Sequence, residues 1–255
     1  MSQFPEIFSL EGQVALITGG GTGIGQSIAR CMHGAGATVA LVGRREKELS
    51  LAAEELGENA HYFVHDITEM NRSEELAKRV VDQLGPIDCL INNAGKHLKK
   101  AALETSEEEF RSVLDTNVVA AHSLIKAIAP AMVARKSGSI LFTASMASLF
   151  GIPQVIAYSA AKSAHLGIVR SLSTELSPHG VRVNAIAPGW IETEMSRKAL
   201  DNDPSRLDKI ISRTPMQKLG QPADIGWAAV YLASPAAAFI TGTIFPVDGG
   251  ASIGF

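Results

Sequence analysis

VALITGGGTGIG, residues 14–25, decides the fold. Four apolar residues, 14–17, run straight into TGGGTGIG at 18–25, and those glycines open a segment with helical periodicity. In an α/β sheet this is where phosphate binds. Residues without side chains let the backbone approach a pyrophosphate, and the helix start offers unpaired N–H groups and a positive dipole end. Gly19, Gly23 and Gly25 are spaced GxxxGxG rather than GxGxxG. A glycine turn of this kind can also be only a tight strand–helix connection. Its place in the first βα unit favours the dinucleotide reading, with Gly19, Gly21, Thr22, Gly23, Ile24 and Gly25 as the expected contacts.

Outward from this loop, short apolar runs recur: TVALVG (38–43), HYFVH (61–65), CLIN (89–92), SILFTAS (139–145), VRVNAIAP (181–188) and GTIFPVDGG (242–250). Most are apolar throughout, as strands covered on both faces should be. Helix-like pieces such as GIGQSIARCMHGAG, REKELSLAAEEL and SEELAKRVVDQLG lie between them. The alternation predicts one α/β domain over 1–255, a doubly wound parallel sheet of seven strands with helices on both faces. One stretch breaks the rhythm: WIETEMSRKALDNDPSRLDKIISRTPM at 190–216 reads either as a substrate lid or as an ordinary surface helix pair.

The tip of the second strand should select the dinucleotide. An Asp or Glu there would hold ribose hydroxyls. Here Gly43 is followed by Arg44 and Arg45, whose guanidiniums suit a 2′-phosphate. The alternative is that both merely solvate a helix start. The expectation is NADP(H) in preference to NAD(H).

Composition excludes several other classes. With 46% hydrophobic and 19% charged residues, 255 residues fit one well-filled domain. A net charge of −3 gives no pull towards nucleic acid or anionic membrane. The start MSQFPEIFSLEG carries no visible secretory signal, and no uninterrupted apolar run reaches the ~18 residues of a membrane span. Cys31 and Cys89 lack CxxC spacing, and the seven histidines form no HExxH motif, so neither a disulfide framework nor a protein-bound metal is expected. A cytoplasmic location follows as the plain expectation.

YSAAK places Tyr158 and Lys162 four residues apart in a helical segment, on one face. A free tyrosine titrates near ~10. An ammonium one turn away favours the phenolate and brings it towards the working range of an acid–base catalyst. Such pairs also occur by chance on solvated helices.

Together, TGGGTGIG, NNAG at 92–95, Asn117, Ser145, Tyr158/Lys162 and PG at 188–189 form an ordered set. This set resembles the compact form of the short-chain dehydrogenase/reductase family over essentially the whole chain. The resemblance implies a Rossmann-type sheet, a nicotinamide cofactor and hydride transfer between it and a carbonyl or alcohol carbon. Carried over, it makes Tyr158 the acid in reduction and the base in oxidation. Lys162 would lower the Tyr158 pKa and bond the nicotinamide ribose. Ser145 would donate to the substrate oxygen, and Asn117 would hold a water linking Lys162 to solvent. Asp66 and Ile67 would contact adenine, and Asn93, Ala94 and Gly95 would line the adenosine side. Pro188, Gly189, Ile191 and Thr193 would seat the carboxamide.

Two subfamilies fit. FSLEGQVALITG, the SM of TASMAS, RTP at 213–215 and the basic stretch Lys96, His97, Lys99 and Lys100 are similar to sugar-acid and polyol dehydrogenases of the gluconate 5-dehydrogenase type. The cations could attract a carboxylate or form a solvated loop tip. Length and motif order also resemble 3-oxoacyl-carrier-protein reductase. There, however, Lys136 and His179 stand where arginines are expected, and His179 is largely neutral at pH 7. A non-enzymatic NADP(H) sensor is the alternative of another class, and the intact Asn117, Ser145, Tyr158 and Lys162 argue against it. The partners expected are a small-molecule substrate and further copies of the chain. The resemblance implies a homotetramer built through helices around 104–133 and 155–177 and through the C-terminal region.

Overall fold

A computed structural model of the chain describes residues 6–194, 196–197 and 204–254. In β1 (Val14–Thr18) all five side chains are buried, because helices cover both faces of the sheet to which it is central. The strands β2 (Thr38–Gly43), β3 (Ala60–Val64), β4 (Ile87–Asn92), β5 (Gly138–Thr143), β6 (Val181–Pro188) and β7 (Ile244–Val247) complete that sheet. It is parallel, in the order β3-β2-β1-β4-β5-β6-β7. The winding reverses between β1 and β4, which opens a crevice at their carboxyl ends, the usual ligand position in such sheets.

Alternation along each strand divides the core in two. Val14, Leu16, Ala40 and Val42 pack with α3 (Ser73–Leu84), α5 (Ala120–Arg135) and α6 (Ile156–Leu176). Ala15, Ile17, Val39 and Leu41 pack with α1 (Gly23–Gly34), α2 (Glu46–Leu56) and α8 (Pro222–Ala233). The helix α4 (Glu107–Leu114) starts in a reciprocal capping box of Ser106 and Glu109. It runs into α5 through a π-helical turn, Asp115–Val119. By length and composition the continuous helix Glu107–Arg135 could cross a membrane. Here its Leu124, Ile128 and Met132 are built into the core.

Strand boundaries follow the sequence reading to within a few residues. The last strand is shorter than the run at 242–250, because Asp248 takes the backbone N–H groups of Gly250 (2.9 Å) and Ser252 (2.8 Å) into a turn. His61 and His65 do stand four apart, but on and just after an extended strand, which separates them by roughly 13 Å. Among the described residues, no group of three or more His, Cys, Asp or Glu could hold a metal ion. Within the stretch 190–216, Met195 and residues 198–203 lie outside the described residues. The rest includes a bridge between Ile191 and Gly220 and the helix α7 (Pro204–Arg213).

Candidate active site

Thr18, the last residue of β1, ties the strand ends together. Its hydroxyl donates to the Ile91 carbonyl (3.2 Å) and accepts from the Asn93 and Ala94 N–H groups, each at 3.0 Å. The Asn93 amide returns to the Thr18 carbonyl (2.9 Å), and its oxygen accepts from Thr143 on β5 (3.2 Å). Gly25 makes this packing possible. A Cβ there would strike the Gly19 carbonyl and the Asn93 amide.

The loop fits a dinucleotide phosphate on structural grounds. Gly19 and Gly23 have φ of +67° and +59°, a region that favours glycine. Thr22 at the start of α1 makes no side-chain cap bond, which leaves the first-turn N–H groups to a ligand. The Asn92 side-chain amide, buried at the crevice, has no protein partner on either atom. Thr193 reaches the same cradle, its methyl 4.0 Å from where a Gly23 Cβ would stand. Gly189 closes against Asp248, where a Cβ would lie 2.6 Å from the Asp248 Cα.

Beyond Gly43, the two arginines diverge. Arg45 donates to the Thr22 hydroxyl (3.0 Å) and lies 3.3 Å from Glu48, while Arg44 lies 3.6 Å from Asp66. Their side chains are 74% (Arg44) and 62% (Arg45) exposed, so these ion pairs hold them weakly. Burial raises the Asp66 pKa, but the Thr68 N–H and hydroxyl and the Arg44 charge outweigh it, and the carboxyl stays below its ordinary range. Ile67 turns into the core.

Ser145, two residues past β5, starts a short 3-10 turn by accepting the Ala147 N–H at 3.1 Å. Burial pushes the Tyr158 hydroxyl on α6 up, and the neighbouring Ser145 side chain pulls it partly back. Lys162 is buried, with Nζ 5.7 Å from the Tyr158 ring centroid and donating to the Thr143 carbonyl at 2.6 Å. Burial takes its pKa down to about 7. Asn117, in the π turn, gives its amide hydrogens to the carbonyls of Lys96 and Val113, both at 2.9 Å. Two hydroxyls thus converge where a substrate oxygen could sit, with an ammonium behind them.

The basic stretch after β4 is largely engaged. Lys100 is paired with Glu109 (2.8 Å), whose carboxyl that bond holds low, and Lys96 donates to Ser112 (2.7 Å). The His97 ring lies 4.7 Å from the Tyr158 ring. Lys136 and His179 precede β5 and β6, so they lie at the edge of the sheet opposite Tyr158. Sequence reading gave no role to the side chains of Thr18, Thr143, Asn92 and His165. Thr18 and Asn92 lie within quoted motifs, yet only assembly shows what each of the four touches.

A family model described as enoyl-(acyl carrier protein) reductase matches residues 19–252. The chain is 39% identical to 2-dehydro-3-deoxy-D-gluconate 5-dehydrogenase from Pseudoalteromonas atlantica, over 96% of this chain and 98% of that protein. It is 36% identical to a 3-oxoacyl-[acyl-carrier-protein] reductase from Vibrio harveyi, over 95% and 98%. A gluconate 5-dehydrogenase from Burkholderia cenocepacia, in complex with NADP and tartrate, superposes with a TM-score of 0.93 at 30% identity, over 98% and 99%. Full-length coverage, the shared fold and these dehydrogenase and reductase relatives place the chain in the short-chain dehydrogenase/reductase family of oxidoreductases acting on CH–OH groups.

Proposed function

We propose that the protein interconverts a secondary alcohol and a ketone with NADP(H), on a sugar acid, polyol or similar small hydroxy or keto compound. The observation that carries this reading is Ser145 beside the Tyr158 hydroxyl, backed by buried Lys162. Bound in the crevice, the nicotinamide dinucleotide would supply the hydride in reduction and accept it in oxidation. Tyr158 gives the carbonyl oxygen a proton in reduction and takes one from the alcohol in oxidation. Ser145 donates to the same oxygen and stabilises its developing charge. Lys162, when protonated, favours the phenolate and reaches the nicotinamide ribose, and Asn117 holds a water that connects Lys162 to solvent. Gly19, Gly21, Thr22, Gly23, Ile24 and Gly25 hold the pyrophosphate. Asp66, the backbone of Ile67, Asn93, Ala94 and Gly95 serve the adenosine side, and Pro188, Gly189, Ile191 and Thr193 the carboxamide.

Preference for NADP(H) is supported by Arg44 and Arg45, which can leave exposed carboxylates for a 2′-phosphate. The sugar-acid reading is supported by the gluconate-type relatives and by His97 beside Tyr158. Against a carrier-protein substrate stands the position of Lys136 and His179, away from the catalytic edge within one subunit. The whole chain serves as one dinucleotide-binding and catalytic domain, with 190–216 as its lid and the cytoplasm as its place.

One assay tests this reading. The wild type and Tyr158→Phe are given NADPH or NADH with 5-keto-D-gluconate and with an acetoacetyl thioester. The expected result is NADPH-linked turnover of the keto acid by the wild type alone, while the variant still binds NADPH. Near-normal turnover by Tyr158→Phe, thioester activity without keto-acid activity, or a preference for NADH would each overturn its part of the reading.

A further inference from the structure

His165 is a buried titratable group to which the chemistry above gives no role. It follows Lys162 by three residues on α6, so both side chains leave the same side of the helix, and it is 1% exposed. Its Nε2 lies 2.8 Å from the backbone oxygen of Asn117. A carbonyl only accepts, so Nε2 carries the hydrogen and Nδ1 keeps its lone pair. That Nδ1 is buried and has no partner. The ring packs against Phe142 of β5, with centroids 5.0 Å apart. Leucine would fill the space without burying an unpaired nitrogen, so packing alone does not account for an imidazole.

The bond holds the π turn. Here the Ala120 N–H reaches back five residues to the Asp115 carbonyl, which breaks the ordinary ladder. Both amide hydrogens of Asn117 are spent on the Lys96 and Val113 carbonyls. Its Oδ1 is left buried without a protein partner. A Cβ added to Gly95 would lie 2.5 Å from that Oδ1 and 3.5 Å from Lys162 Nζ. The Asn117 oxygen and the Lys162 nitrogen therefore both lie against Gly95, and the close approach of the oxygen needs a residue without a side chain there.

We propose that His165 is a positioning residue of the acid–base centre, its Nε2–H pinning the Asn117 carbonyl so that Asn117 Oδ1 stays aimed at Lys162 across Gly95. This rests on the Tyr158–Lys162 chemistry proposed above. Lys162 is the charged group that acts on the imidazole; burial first, and then this charge, keep the ring neutral and its hydrogen on Nε2. The aimed oxygen favours the protonated lysine, and the protonated lysine favours the phenolate.

The test compares His165→Leu, which keeps volume but no donor, with His165→Gln, whose amide can donate to the same carbonyl. Both are assayed as full chains with NADP(H) and the gluconate/5-ketogluconate pair, or with the thioester pair where that is the one turned over. His165→Leu should lose roughly tenfold or more in kcat with unchanged NADPH affinity. In the oxidation direction, its acid limb should move to higher pH. His165→Gln should restore both. Wild-type kcat and limb in the leucine variant, or equal loss in the glutamine variant, would overturn the proposal. If the leucine variant does not fold, nitrogen-15 shifts of the wild-type holoenzyme decide over about pH 6 to 9. An Nε2–H tautomer supports the proposal, and an Nδ1–H tautomer overturns it. An active Tyr158→Phe would remove the chemistry beneath the proposal. An inactive one beside a normal leucine variant would remove the positioning role alone.

Discussion

Lys162 and His165 are buried side by side, and burial acts on both in the same direction: each resists its proton. Burial, then the Lys162 charge, bring His165 from an ordinary 6.5 down to about 3, although its bond to the Asn117 carbonyl opposes this. Between those two values the unfolded chain binds a proton that the folded chain refuses, so stability falls as pH drops from 6.5 towards 3. Lys162, taken from 10.5 to about 7, acts in a higher window, where folding gains as pH rises from about 7 to 10.5. Tyr158, raised above 10.0, works against that gain only at the alkaline end. In the cofactor-free protein, acidification below pH 6.5 should therefore cost His165's share, on the order of a few kcal/mol. The check is thermal unfolding at a series of pH values for the wild type and His165→Leu. A shallower acid slope in the variant is expected, and parallel slopes would show that the imidazole accepts its proton in place.

At the scale of elements, α1 carries two glycines with opposite demands. At Gly25 a Cβ would enter the Gly19 carbonyl and the Asn93 amide, backbone and strand-end atoms that cannot swing aside. Gly25→Ala should cost roughly 1–3 kcal/mol and weaken NADPH binding at least about tenfold, because the cradle must widen. Gly34, the last residue of the same helix, has nothing within 4 Å of its would-be Cβ. There Gly34→Ala should be neutral or stabilising by up to about 1 kcal/mol. Melting curves and NADPH titrations of the two variants check this, and equal behaviour would refute the steric account. Gly25 was legible from the sequence because a glycine loop after an apolar run has few other uses. The strands were legible for a related reason: strands covered on both faces are mostly apolar, and VALIT, TVALVG and, despite Arg182 and Asn184, VRVNAIAP give their boundaries outright. The π turn was not, since LDTNVVAAH continues a helical pattern and one extra residue per turn leaves no mark in residue type. The Lys100–Glu109 pair was hidden likewise. It joins a loop to a helix, and no periodicity relates them.

At the scale of the molecule, exposed apolar side chains occur in several places, Leu51, Val81 and Met216 among them, and two sets lie on the stretches expected to pair between copies. Leu103 just before α4, Val119 in the π turn and Ile156 at the start of α6 are 102%, 40% and 45% exposed. Trp227, Phe239 and Ile253, at 50%, 104% and 84%, lie on α8 and the C-terminal stretch. A helix apolar on more than one side needs a second partner. Only five residues of the long α6 are buried within the subunit: Ala157, Ala161, Lys162, His165 and Val169. Three of these belong to or adjoin the acid–base centre, so the opposite side of α6 is free to bury against another copy without disturbing the chemistry. Contiguous exposed apolar surface marks interaction sites, and two independent two-fold interfaces would generate a closed tetramer. We therefore propose self-association into a homotetramer. Sedimentation velocity at micromolar concentration should give a species of four chains, and Trp227→Lys should reduce it to dimers while the α4–α6 contact persists. A stable species at the single-chain mass of 26.9 kDa would rule the assembly out. A tetramer unmoved by Trp227→Lys would instead place the second interface away from α8.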